Sequence, residues 1–262
     1  MARLIEFFII IGLAYWLYQK WRIQTNSSQE TQSIVEPDHL IKMVQCEACK
    51  VRIPLSDSLT FDGRYFCDNA HLHQMSEEGW FGFAYKIPSP NFNKRPNLPI
   101  DTLVVHHISL PVGKFGSPDI KDFFCNRLDV EQDPYFREIA HLQVSAHFLI
   151  DRQGQLTQFV SCHDRAWHAG LSQLFERTQC NDFSIGIELE GTGELPFELI
   201  QYARLAELID LLKKYFPIQY IVGHSDIAPG RKSDPGPSFD WKILQNLSHL
   251  PIDQLPFGLE SR

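Results

Sequence analysis

Apolar positions fall into distinct regimes along this chain. Leu4 to Leu17 is almost wholly apolar apart from Glu6, and Tyr18, Lys20, Trp21 and Arg22 follow it. Residues 24–37 (QTNSSQETQSIVEP) carry few large apolar groups and read as a flexible linker. From about Gly79 to Leu250, apolar runs alternate with polar punctuation. Thr102–His107 is apolar and β-branched, which predicts a buried strand. His147–Ile150 and Leu156–Val160 flank Asp151-Arg152-Gln153-Gly154, a hairpin signature. In Ser184–Leu189, Ile185, Ile187 and Leu189 alternate with Gly186 and Glu188, the period of a strand. Between Pro196 and Phe216 the period changes. Tyr202, Leu205, Ile209, Leu212 and Phe216 recur at helical spacing, so one helix face is predicted to pack on a sheet. Ile218–Val222 predicts a short strand delivering His224, and Ser238 is placed to cap a last helix. Strands mixed with helices in one domain predict an α/β (α+β) fold, a mixed β-sheet flanked by helices. The pattern divides the chain into an apolar N-terminal helix (1–22), a linker (23–39), a small module (40–76), a main domain (77–250) and a tail (251–262).

The N-terminal run is short for a membrane span, since a hydrocarbon core of about 30 Å takes about 20 helical residues. Aromatic and cationic residues at its end suit an interfacial anchor, and no small-x-small cleavage site follows. The expectation is an uncleaved anchor over residues 4–21, with a cleaved signal or a peripheral helix as the alternatives. Lys20 and Arg22 against Arg3 and the amino terminus leave orientation open.

A hydrophobic fraction of 44% is enough for a substantial core, and a net charge of −8 argues against nucleic-acid binding, which wants a basic face. Six cysteines are too few for a disulfide scaffold in a chain of 262 residues. Cys46-x-x-Cys49, then Cys67 and His71, instead give CxxC, seventeen intervening residues and CxxxH. That is a closed Cys3His set of the kind used by structural zinc, with Asp62-Gly63 as a hairpin turn between the two pairs. His73 is an alternative fourth ligand, and a redox CxxC or uncoordinated thiols are the competing uses. Cys125, Cys162 and Cys180 lack ligand spacing and read as buried thiols.

The densest candidate chemistry lies in His224-Ser225-Asp226-Ile227-Ala228-Pro229-Gly230-Arg231-Lys232-Ser233-Asp234-Pro235-Gly236-Pro237. Its Pro and Gly punctuation predicts a shaped loop rather than a helix or strand. Together with His106 at a strand end, it offers His106, His224 and Asp234 as a two-His, one-carboxylate zinc site. Three protein ligands leave a fourth position open, which is the catalytic arrangement. Singly these signals are weak, because a strand-end His is usually structural and Asp before Pro commonly forms a turn. Lys232 is either a surface lysine or a stabiliser of the oxyanion formed when water attacks a carbonyl. Glu188 interrupts an apolar strand, where an unpaired buried carboxylate is costly. It is a candidate general base, with Glu190 its neighbour on the same face. The residues alone do not choose between them.

The strings GWFGFAYKIPSPNFNKRP, LVVHHISLP, EIAHLQVSAHFLI, RAWHAG, CNDFSIGIELEGT and GHSDIAPGRKSDPGPSFDW resemble the AmpD-type amidases, 1,6-anhydro-N-acetylmuramoyl-L-alanine amidases, from about Gly79 to Trp241. The resemblance implies the zinc amidase fold shared with peptidoglycan recognition proteins. Position by position, it implies a catalytic zinc on His106, His224 and Asp234, Glu188 as the acid/base and Lys232 as the transition-state stabiliser. His107, Trp167 and His168 are placed at the substrate, core packing being the competing use of Trp167. His141 and His147 fall in family motifs away from ligand positions and read as structural. The implied substrate is an anhydro-muropeptide, cleaved in the cytoplasm during cell-wall recycling, with the chain tethered to the inner membrane through residues 4–21. Residues 40–76 are similar to small zinc-ribbon-like proteins that carry an N-terminal membrane segment, which implies a second, structural zinc. Three positions depart from the family: His107 stands where Asn is usual, and Gln143 and Gln179 where Arg is. An exported amidase acting on the intact wall and a non-catalytic peptidoglycan-binding module are the alternatives.

Overall fold

A computed structural model describes residues 12–22 and 41–260. Residues 12–22 are helical, with Leu13, Tyr15, Trp16 and Leu17 exposed. The linker expected over residues 23–39 and most of the apolar run, residues 1–11, lie outside the described residues. Eleven helical residues rise about 16 Å, and no described helix is long and apolar enough to cross a membrane. The anchor expected over residues 4–21 therefore has no structural support.

Residues 43–262 form one unit. Its centre is a mixed six-stranded sheet in the order β14-β7-β13-β8-β9-β5. The strands are β5 (Tyr85–Lys86), β7 (Thr102–Ile108), β8 (Phe148–Ile150), β9 (Leu156–Gln158), β13 (Ser184–Glu190) and β14 (Tyr220–Gly223). β14, β7, β13 and β8 are parallel neighbours, whereas β8 and β9 form the predicted antiparallel hairpin, with Gly154 at φ +76 in its turn. Parallel strands are covered on both faces, which is why β7 reads as an unbroken apolar run. Leu103 and Val105 face one core with Ile185, Ile187, Leu189 and Ile221, closed by Tyr202, Leu205, Ile209 and Leu212 of the helix Leu199–Tyr215. Val104 and Val222 face the other way, onto Ala169, Leu174, Phe183 and Ile227. Burying each such aliphatic side chain contributes about 1.5–3 kcal/mol.

Two local expectations are corrected. His224 does not enter a loop directly. His224–Ile227 makes one helical turn, because Asp226 accepts from the Gly223 N–H at 2.7 Å and the breakers Pro229 and Gly230 come only later. Ser238 does not cap the last helix, Trp241–Ser248. Asp240 does, accepting from the N–H groups of Lys242 and Ile243, while the Ser238 hydroxyl donates to Thr192 O.

Four short strands precede the sheet: β1 (Met43–Gln45) with β2 (Arg52–Pro54), and β3 (Leu59–Phe61) with β4 (Arg64–Phe66). The second hairpin turns at Asp62-Gly63, as expected, and both residues have positive φ, the geometry of a type I′ turn. β6 (Phe92–Lys94) pairs with β10 (Asp164–Ala166), and β11 (Gln173–Leu174) with β12 (Arg177–Thr178).

Candidate active site

Register assembles the site. Glu188 on β13 pairs with His106 on β7, and Gly223, the last residue of β14, pairs with Val105. His224 therefore follows at the level of His106, and three chemical side chains arrive at the C-terminal ends of adjacent parallel strands. Asp234 reaches them from the loop, which is tied at several points. Ser225 N–H donates to Asp234 O at 2.8 Å, and His107 Nδ1 donates to Pro235 O at 3.0 Å. Gly236, at φ +81, lies so close to Gly193 that an added Cβ would sit 2.7 Å from its Cα.

His106 Nδ1, His224 Nδ1 and Asp234 Oδ2 form a triangle with sides of 3.0, 2.9 and 2.9 Å. The surrounding hydrogen bonds fix which nitrogens carry protons. His224 Nε2 lies 3.1 Å from Ala169 O, a carbonyl that can only accept, so Nε2 is the N–H and Nδ1 bears the lone pair. On the other side, Ser184 Oγ is 2.5 Å from Cys180 O and must donate to it. His168 Nε2 at 3.3 Å then donates to Ser184 Oγ, His168 Nδ1 accepts from His106 Nε2 at 3.0 Å, and His106 Nδ1 is left with its lone pair. Two imidazole lone pairs and a carboxylate oxygen thus converge with no proton between them. A cation relieves that repulsion, and tetrahedral zinc with bonds near 2.0–2.1 Å separates its ligands by about 3.3 Å, close to this triangle. The donor set fits zinc.

The electrostatics agree. Burial, and then the nearby His224, lower the His106 imidazole to about 4, which keeps it neutral and ready to ligate. Burial opposes ionisation of Asp234, but its close contacts with His106 and His224 outweigh it and hold the carboxyl well below its usual range. Glu188 goes the other way. Burial and then Asp234 push it well above the usual carboxylate range, with Lys232 offsetting part, and its Oε2 is buried without a hydrogen-bond partner. Glu190, the other candidate, is committed elsewhere. Its two oxygens accept from Gly116 N–H at 2.6 Å and Arg152 N–H at 3.1 Å, tying two loops to the strand end. Lys232 is exposed.

Of the residues placed at the substrate, Trp167 is half-buried and its Nε1 donates to Asn93 Oδ1 at 2.7 Å. Both ring nitrogens of His168 are engaged in the relay behind His106, which gives it a positioning role. Gly186 leaves the space for that ring, since a Cβ there would overlap it. His168→Phe, which keeps a ring but removes both nitrogens, is expected to weaken zinc binding about 10–100-fold. Competition with a chromophoric chelator, on protein whose fold is checked by circular dichroism, measures this. Gln143 and Gln179 are exposed, Gln179 in the left-handed region at φ +60.

Sequence reasoning missed the relay through Ser184 and the arginines that shape it. Arg95 is buried, which lowers it to about 10, and donates to Asn181 O and Ser184 O. Arg231 donates to Ala169 O, the same carbonyl that orients His224. A cation beside a ligand loop was visible in the sequence, but its carbonyl partner was not.

Buried neutral imidazoles also set the acid behaviour of metal-stripped protein. His147 is held well below the ordinary value by burial and then Arg95, and His168 by burial and then His106. His106, His147 and His168 therefore gain protons on unfolding below about pH 6.5, and their contribution to stability falls as pH drops through that window. Glu188, with its raised pKa, loses a proton on unfolding above about 4.5, which works in the opposite sense. Three groups against one predict a net loss of stability on acidification from pH 6.5 to 4.5, at most about 1.4 kcal/mol per pH unit per net proton. Urea unfolding of the stripped protein at both pH values measures it.

A second cluster lies apart from the sheet's catalytic end. Cys46, Cys49, Cys67 and His71 each bring a ligand atom within 4.8 Å of the others. His73, the alternative ligand, is turned away, with Nδ1 on Asn69 O and Nε2 on Glu207. Burial opposes ionisation of Cys46, but backbone hydrogen bonds from Cys49, Cys67 and Ala48 lower it to about 7. Cys125, Cys162 and Cys180 are buried and free.

A mixed sheet carrying this His2Asp set fits the class of metal-dependent hydrolases. The profile of the N-acetylmuramoyl-L-alanine amidase family matches residues 96–237, and the chain belongs to that family. It is 51% identical over 168 residues to the 1,6-anhydro-N-acetylmuramyl-L-alanine amidase AmpD of Escherichia coli K12, across 63% of this chain and 92% of that protein. The AmpD of Haemophilus influenzae is 51% identical over 170 residues, with the same shares covered. The crystal structure of a selenomethionine AmpD derivative matches with a TM-score of 0.64 and 49% identity, over 65% of this chain and 97% of that one. The fold class expected from the sequence is the one observed.

Proposed function

We propose that this protein hydrolyses the amide between the lactyl group of 1,6-anhydro-N-acetylmuramic acid and L-Ala in peptidoglycan turnover fragments, as part of cell-wall recycling. The relatives' stated activity supports the substrate. The observation that carries the chemistry is the convergence of three lone pairs with no proton between them. His106, His224 and Asp234 would hold zinc there. When bound, the ion supplies a Lewis acid that polarises the scissile carbonyl and lowers the pKa of water to about 7.

The chain's own groups do the rest. Glu188, at the level of His106 and with an uncommitted buried oxygen, takes a proton from the attacking water and returns it to the L-Ala nitrogen as the C–N bond breaks. Lys232 places a positive charge where the carbonyl oxygen becomes anionic. His107 and Trp167 stand at the substrate side, His107 also holding the ligand loop through Pro235 O. The Cys46, Cys49, Cys67 and His71 cluster is assigned a structural zinc on the strength of its donor set. Six free cysteines suit a reducing compartment, which supports a cytoplasmic reaction. Tethering through residues 4–21 has only the sequence in its favour.

Incubating purified protein with anhydro-muropeptide and with intact sacculi tests the reading. Free stem peptide is expected from the first, and a chelator should stop its release. Peptide released from sacculi alone would make this an enzyme of the intact wall and overturn the proposal.

A further inference from the structure

The Cys-rich segment cannot hold its shape by apolar burial. Across β1 to β4 the buried apolar side chains are Val44 and Phe66, with the Cys46 thiol beside them, far too few for an independent core. Its two hairpins are joined by backbone at the ligands. Glu47 N–H donates to Tyr65 O at 2.7 Å across the two hairpins, and Lys50 N–H closes the turn of the first by donating to Cys46 O at 3.0 Å. His71 sits in the one-turn helix Asn69–Leu72, which Asp68 caps by accepting from His71 N–H at 2.7 Å.

The residues just beyond the ligands belong to the amidase core. Leu72 packs on the main core. His73 Nε2 lies 3.2 Å from Glu207 Oε1, and Met75 N–H donates to the Tyr215 hydroxyl at 3.0 Å, so the segment touches both the middle and the end of the helix Leu199–Tyr215. From the second hairpin, Arg64 donates to Ala84 O at 2.7 Å, Phe61 meets Tyr85 with ring centroids 5.0 Å apart, and Phe66 covers Gly82. A Cβ on Gly82 would lie 2.6 Å from Leu72 O, so this contact accepts only glycine without rearrangement. The contacts of the second hairpin fall on Gly82–Tyr85, the segment that leads into β5, and those of His73 and Met75 fall on the long helix. The catalytic triangle lies at the other end of the sheet, on β14 and β7.

We infer that the Cys46–Cys49–Cys67–His71 site is a metal fastener of the amidase domain: an ion bound there fixes residues 43–75 onto β5 and the helix Leu199–Tyr215, and so stabilises the catalytic domain from its far edge. This rests on the structural-zinc reading above. Because the ligands and the docking residues are interleaved in sequence, ligand binding to the folded state alone carries its free energy into the whole unit.

The test uses the full chain carrying Asp234→Ala, which lacks the catalytic ligand set, so that any metal effect reports the second site. Cobalt(II) should bind one per chain and give the near-ultraviolet charge-transfer band of thiolate ligation. Zinc at a hundredfold excess over its dissociation constant should raise the melting midpoint by about 5–10 °C and slow amide exchange of residues 80–86 several-fold. Neither effect should occur when Cys46→Ser and Cys49→Ser are added, and should that variant fail to fold, the metal titration of Asp234→Ala alone decides. No thiolate band would remove the structural zinc and the fastener with it. A band without a shift in midpoint or exchange would leave the zinc standing and overturn the fastener alone. Neither result bears on the amidase reading, which the anhydro-muropeptide assay tests separately.

Discussion

Replacing Glu188 by Gln is expected to leave the fold and the metal content intact while lowering kcat by about 10²–10⁴. The side chain stays the same size, and β13 keeps its pairing with β7 and β8 through the backbone. What is lost is the buried carboxyl, in register with His106, that is proposed to accept and return a proton. Burial already holds Glu188 well above the usual carboxylate range, so it keeps a proton more readily than an exposed carboxylate does. The variant should also be slightly more stable without metal, because a neutral amide replaces a buried acid. Metal content by elemental analysis, with steady-state kinetics on anhydro-muropeptide, separates the outcomes. A Glu188→Gln protein that retains zinc and turns over at the parental rate would remove Glu188 from the chemistry.

Asp234→Ala is expected to abolish turnover by losing the catalytic ion. The carboxylate is the only anionic ligand of the three, and its Oδ2 lies 2.9 Å from the Nδ1 of each imidazole. Without it two neutral nitrogens remain, too few for a stable tetrahedral site. The fold should survive, because the loop retains the Ser225 N–H bond to the Asp234 carbonyl and the Gly236–Gly193 contact, neither of which needs the side chain. Metal content of the variant should fall by one ion per chain, with activity at background. Wild-type activity in a protein that has lost that ion would contradict the assignment.

Much of this site could be read in the sequence because its ligands sit beside strong local signals. His106 ends an apolar β-branched run and His224 follows another, so each is carried by a strand whose existence composition alone predicts. The choice of Glu188 over Glu190 was different in kind. Both lie on one face of β13, and only pairing reveals that Glu188 stands level with His106 while Glu190 is consumed by Gly116 and Arg152. Interstrand register is non-local and leaves no trace in a single strand's pattern. The relay from His106 through His168 to Ser184 was hidden for the same reason, since it depends on the missing side chain of Gly186. The cysteine spacing announced a metal cluster, but not that Leu72, His73 and Met75 would dock it on the amidase core. The start of the last helix was placed too early: Asp240, and not the expected Ser238, caps it, because its carboxylate reaches two backbone N–H groups.

Metal dependence of hydrolysis tests the central claim most directly. Purified protein would be stripped with a chelator, its residual metal quantified, and release of L-Ala-linked peptide from anhydro-muropeptide measured before and after zinc is restored. The expected result is background rate in the stripped protein and full recovery with zinc. Hydrolysis at the parental rate by metal-free protein would contradict the account.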